Sequence, residues 1–125
     1  MGVIEAIRCA EALLPGEPVA DGLDPRWQAI IAVGEYTQSE PAAVWSFIRR
    51  WGGQPQEDLR NAIATCLLEH LLEYHFEAYF PQVELAALAD RHFADTFWRC
   101  WPLGLSERPA NAVRFHLLRH RLRNA

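Results

Sequence analysis

The sequence contains no lysine, only three serines and seven scattered glycines. Without a glycine-rich loop, the chain lacks the backbone cradle that binds phosphates in nucleotide-binding proteins. It also has no Gly-x-Ser-x-Gly elbow, and capping or packing accounts for each serine, so no activated nucleophile is evident. We therefore predict a protein that is not an enzyme and needs no cofactor.

Close cysteine pairs are also missing. Cys9, Cys66 and Cys100 stand far apart, and an odd number without a close pair argues against a disulfide framework. Acidic residues interrupt the first fifteen positions, so they do not form a secretory signal, and no stretch reaches the ~20 apolar residues of a membrane helix. These features predict a cytoplasmic protein without a membrane partner.

A zinc site is the strongest metal candidate. Cys66 and His70 are four residues apart on one helical face, and Cys100 or His92 could complete the ligand set. Their face is apolar, however, and a buried cysteine with a hydrogen-bonded histidine is the commoner arrangement. The paired Glu-x-x-His motifs of a di-iron bundle are absent. We predict no metal site.

Leu, Ala, Glu and Arg dominate the composition, and these residues favour helix. Residues 1–125 are expected to form a single all-α domain of about six helices. Capping residues and prolines predict helices over residues 3–14, 24–37, 41–51, 55–74, 82–89, 92–101 and 106–121. Pro81 predicts a break near Tyr79 and Phe80.

Two helices of this set resemble each other at an offset of 34 residues. Asp24-Pro25-Arg26 matches Asp58-Leu59-Arg60, and residues 32–35 align with residues 66–69. A two-helix period of this length is typical of α-solenoids, and the pattern resembles a HEAT repeat over about residues 24–75. The resemblance implies antiparallel helical hairpins in which Asp caps its helix and Arg pairs with a neighbouring repeat. A plain antiparallel bundle is the alternative, since His92 stands where a third Asp would fall.

Acidic residues recur every four positions along the helix predicted at 55–74. Glu69, Glu73 and Glu77 would form one row if the helix continues that far, and each like-charged pair costs about 0.2–0.5 kcal/mol. Cations should therefore offset this row. Arginines of the same chain or solvent would suffice, whereas the functional alternative is a basic protein partner, with Trp51 at a helix end as its aromatic anchor.

The charge is unevenly distributed. Residues 1–107 carry sixteen acids against seven arginines, −9, whereas residues 108–125 carry five arginines and no acid, +5. The basic C-terminal helix, with Arg119, Arg121 and Arg123, could bind nucleic acid. Repulsion by the acidic body opposes this, so charge complementarity within the chain is the favoured explanation.

HEAT-like folds bind macromolecules on exposed helical surfaces, so the resemblance implies a non-catalytic protein-binding module. An immunity protein or antitoxin of a bacterium, neutralising a basic toxin, is the specific hypothesis, with Glu69, Glu73, Glu77 and Trp51 as contacts. One alternative is a small enzyme, or a ligand- or metal-binding protein, with a pocket around His70, Tyr74 and His75. Nucleic-acid binding through the C-terminal helix is another, and a homodimer stays open.

Overall fold

The computed structural model describes residues 2–19 and 22–124, whose regular secondary structure is entirely helical, with no strand among them. The all-α prediction is confirmed. The helices are α1 (Val3–Leu13), α2 (Pro25–Gly34), α3 (Pro41–Trp51), α4 (Glu57–Ile63), α5 (Glu69–Ala89), α6 (Arg91–Trp98) and α7 (Pro109–Arg123). No helix within these ranges is long and apolar enough to cross a bilayer.

The helix starts follow local sequence signals. Asp24 caps α2 by accepting a hydrogen bond from the backbone N–H of Arg26 at 2.9 Å, and Pro25 occupies the first helical position. Asp90 caps α6 in the same way. The prediction that the last helix begins at Ser106 is wrong, because Ser106 lies in a 3-10 turn, Gly104–Glu107, and α7 begins at Pro109.

The central helical stretch is continuous but irregular. A π-helical turn, Ala64–Leu68, joins α4 to α5. The predicted break near Tyr79 and Phe80 is absent, and the chain instead leaves helical geometry at His75, where φ is −136° and ψ is 42°. Pro81 lies inside α5. Its ring crowds the carbonyl four residues earlier, that of Glu77, so the non-helical residue His75 lies two positions further upstream than this clash.

This stretch forms the centre of the core, with α2, α3, α6 and α7 packed around it. A chain of phenylalanine rings connects three helices. Phe76 stacks on Phe80 at 4.6 Å between centroids, Phe80 meets Phe97 of α6 at 6.2 Å, and Phe97 meets Phe115 of α7 at 4.8 Å. All four rings are fully buried or nearly so, and such contacts add to the free energy gained by removing their apolar area from water.

A buried arginine fixes the N-terminal half. Arg26 is 5% exposed, and its guanidinium pairs with Asp24, with Asp58 in the first turn of α4, and with the carbonyl oxygen of Pro15 at 2.9 Å. These contacts raise the pKa of Arg26 above its usual value. One side chain thereby joins the segment after α1 to the starts of α2 and α4.

Replacement of Arg26 by glutamine should destabilise the fold by about 3 kcal/mol, because it leaves two carboxylates without their partly buried cation. The matched control is Arg50→Gln. Arg50 pairs with Glu11 at 2.8 Å, but its side chain is 64% exposed, so its loss should cost less than about 1 kcal/mol. Urea unfolding monitored by circular dichroism measures both variants, and equal losses would contradict the role given to Arg26.

Candidate functional site

The candidate site is built around the loop that follows α6, residues 99–103, here called the Trp101 loop. Its central side chain, Trp101, is 69% exposed. It is the most exposed aromatic residue of the described chain, ahead of Tyr74 at 43%, and tryptophan is enriched among the residues that contribute most to binding at protein interfaces.

Glu69, the first residue of α5, bonds to the backbone of the Trp101 loop. Its carboxylate accepts a hydrogen bond from the backbone N–H of Trp101 at 2.8 Å, although the residue is only 8% exposed. Burial raises the pKa of Glu69, whereas the bond from Trp101 and the neighbouring His70 act in the opposite direction. The hydrogen bond from the backbone N–H of Trp101 therefore stabilises the partly desolvated carboxylate of Glu69.

The π-helical turn directly precedes Glu69. The backbone N–H of Glu69 donates to the carbonyl oxygen of Ala64, five residues earlier, and the buried Cys100 thiol also donates to that oxygen at 3.7 Å. Burial raises the pKa of Cys100 well above its usual value, so this thiol stays neutral and acts as a donor. Such turns are frequent at functional sites, and this one lies directly beneath the Trp101 loop.

Arg119 of α7 also bonds to the backbone at the start of the Trp101 loop. One of its terminal nitrogens donates to the carbonyl oxygens of Trp98 and Cys100, at 2.8 Å and 2.6 Å. Its guanidinium also lies 4.9 Å from the centroid of the Trp98 ring. Burial lowers its pKa, yet an arginine remains charged at any physiological pH. Two ionic groups from different helices thus bond to the peptide group between Cys100 and Trp101, Glu69 at its N–H and Arg119 at its carbonyl oxygen.

The end of the loop packs tightly against Glu73. Gly104 has a φ of +51°, and a Cβ atom at this position would lie 2.6 Å from Cγ of Glu73. The carboxylate of Glu73 also pairs with Nδ1 of His70 at 2.8 Å. Both the backbone conformation and the space available require glycine here.

The predicted acidic row is not one open surface. Glu69 is buried beneath the Trp101 loop, Glu73 pairs with His70, and Glu77 pairs with Arg114 of α7 at 3.2 Å. The row assumed a regular helix through Glu77, but the chain is non-helical at His75, between the last two glutamates. Only Glu77, with a side chain 73% exposed, faces solvent freely.

Trp51, the predicted anchor, is 6% exposed and packs against Phe47 in the core. Its ring therefore has almost no surface to offer to a partner. Trp51 is the last residue of α3, whereas Trp101 lies in the loop after α6 and is the one that tertiary packing leaves in water. The turn signal Trp101-Pro102-Leu103-Gly104 was the available indication, because Pro and Gly place the preceding residue in an irregular loop.

The residues of the alternative pocket have separate partners. His70 bonds to Glu73, whereas His75 lies 3.2 Å from the carbonyl oxygen of Gln38 and contacts the Tyr79 ring. Tyr74 is 43% exposed. Across residues 2–19 and 22–124, no group of three or more His, Cys, Asp or Glu side chains is arranged to hold a metal ion.

Comparison with known proteins adds no assignment. No protein family, no curated protein and no solved structure matches this chain.

Glu69→Gln should change how stability depends on pH. The raised pKa of Glu69 means that the native state holds its proton more tightly than the unfolded chain does, so ionisation lowers stability as pH rises above about 4.5. Glutamine keeps an acceptor for Trp101 and has no proton to lose. We expect the difference in unfolding free energy, variant minus native protein, to grow from pH 4 to pH 7 in urea titrations. A difference that stays constant or shrinks would contradict this.

Gly104→Ala should destabilise the protein more than Gly22→Ala. Both glycines have positive φ, +51° and +81°, but a Cβ atom at Gly22 would meet nothing within 4 Å. The left-handed backbone alone costs either alanine about 1 kcal/mol, and crowding against Glu73 should add about 1–3 kcal/mol at Gly104. Thermal unfolding compares the two variants, and equal losses would show that the packing against Glu73 contributes nothing.

Proposed function

We propose that this protein is a non-catalytic protein-binding module that captures its partner with the exposed ring of Trp101. Tryptophan is enriched among the interface residues whose truncation costs most binding free energy. The observation that carries the proposal is the fixed presentation of this ring. Glu69 and Arg119 bond to the N–H and the carbonyl oxygen of the peptide group that leads into Trp101, while 69% of Trp101 remains in water.

The buried ionic groups and the exposed ring both carry a free-energy cost in the unbound protein. Partly burying a carboxylate and a guanidinium has a desolvation penalty, which the hydrogen bonds to the loop offset. An indole in water forgoes the free energy of burial. Because the loop is already ordered before binding, it loses less conformational entropy than a flexible loop would when a partner covers the ring. The exposed ring on an ordered loop therefore lowers the stability of the free protein and increases the free energy gained when a partner binds.

Within this proposal, the partner is basic, and the protein acts as an immunity protein or antitoxin against a basic toxin. The net charge of −4 supports a partner of opposite sign, because complementary fields raise association rates. Glu77 is a candidate contact, since its surface pair with Arg114 is weak and can exchange for a cation of the partner. Glu73 is a second, less exposed candidate.

Trp101→Ala should weaken partner binding at least thirtyfold, equivalent to about 2 kcal/mol. The partner is recovered from the source cell on the tagged native protein, identified and purified, and its Kd is measured by calorimetry. Leu85→Ala is the matched control, because Leu85 is an equally exposed apolar residue, 70%, on α5. Its Kd should change less than twofold. Similar Kd values for the two variants would overturn the role of Trp101.

The toxin hypothesis has its own readout. If the recovered partner is basic and arrests growth when expressed alone, co-expression of the native protein should restore growth, and the Trp101→Ala variant should not. A partner that is acidic or harmless would overturn the immunity or antitoxin hypothesis. The proposal of a protein-binding module would still be tested by the Kd values of the Trp101→Ala and Leu85→Ala variants.

A further inference from the structure

A second surface feature lies between α7 and the end of α6 and includes Arg119. A shallow pocket of about 360 Å³ is lined by Trp98, His116, Arg119, His120 and Arg123. Two of these side chains are permanently cationic guanidiniums. Within residues 2–19 and 22–124, no carboxylate lines the pocket, whereas arginines elsewhere in the domain, such as Arg26 and Arg60, pair with aspartates.

The pocket arginines have hydrogen-bonding capacity left over. Arg119 uses one terminal nitrogen on the loop carbonyls, but its Nε atom is buried without a hydrogen-bond partner. Arg123 lies 5.2 Å from the centroid of the Trp98 ring and forms no ion pair with any residue of the described ranges. Because that Nε is enclosed by protein atoms, Arg119 would attract an anion in the pocket through its charge, and Arg123 would supply the hydrogen bonds.

Stabilisation of the helix end accounts for only part of this cluster. Cations in the last turn of α7 suit the negative end of the helix dipole, which explains His120, Arg121 and Arg123. It does not explain His116, which lies further back along the helix, and Arg119 is accounted for by its bonds to the carbonyl oxygens of Trp98 and Cys100. Nor does it explain why both guanidiniums lie over the same ring, Trp98.

We infer that this pocket binds a small phosphorylated ligand of one or two phosphate groups. The planar donor fork of arginine matches the oxygens of a phosphate, and bonds between such charged groups are among the strongest hydrogen bonds in proteins. The volume suits a small ligand. Because two guanidiniums already occupy the Trp98 ring, the ring is not available to stack a nucleobase, so recognition is directed at the phosphates.

The test measures binding of inorganic pyrophosphate by calorimetry at constant ionic strength, with Arg123→Gln as the variant. Arg121→Gln is the matched control, since it removes the same charge from the same helix turn and Arg121 does not line the pocket. We expect the Kd to rise at least tenfold for Arg123→Gln and less than twofold for Arg121→Gln. Circular dichroism verifies that both variants fold.

Two outcomes would overturn the inference. Equal losses in the two variants would mean that pyrophosphate responds only to the general positive charge of α7. No binding of pyrophosphate to the native protein would also exclude the site, even if a single-stranded DNA oligomer, titrated in parallel, bound to the helix with a steep salt dependence.

Discussion

The N-terminal half of this domain depends on the pairing of one buried guanidinium. Arg26 connects the chain after α1, the cap of α2 and the first turn of α4. A charge in this position is tolerated only because every side of it meets an acceptor. The helices that support the central stretch are therefore positioned by a polar contact as well as by apolar packing.

The same principle recurs at the Trp101 loop. Here the buried charges are Glu69 and Arg119, and their partners are backbone groups of an irregular segment. Irregular backbone near the core has no helical partners for its N–H and carbonyl groups, so side chains must supply them. The hydrogen bonds to these backbone groups offset the cost of burying Glu69 and Arg119. The same bonds order the loop and so fix the position of Trp101.

Local signals in the sequence were sufficient for much of the fold. Asp24-Pro25 correctly predicted the start of α2, and the composition correctly predicted an all-α domain. The HEAT-like resemblance stays a prediction, although Arg26 does join Asp24 to Asp58, the two positions that the 34-residue offset relates.

The candidate site was less predictable, because it depends on departures from regular helix. Placing Glu69, Glu73 and Glu77 in one row assumed uniform geometry, and the kink at His75 has no unambiguous local signature. Which of Trp51 and Trp101 is exposed was likewise decided by packing between distant helices. Periodicity describes the face of an ideal helix, so it fails where tertiary contacts distort the helix.

The π-helical turn Ala64–Leu68 has a consequence for evolutionary comparison. Such a turn accommodates one residue more than an α-helical turn, and one residue corresponds to about 100° of rotation around a helix. A related chain without this insertion would direct the residue after the turn elsewhere, and the acid beneath the loop would be lost even if every flanking helix were kept. An alignment that admits no single-residue gap at this point would then compare residues from different faces of the helix.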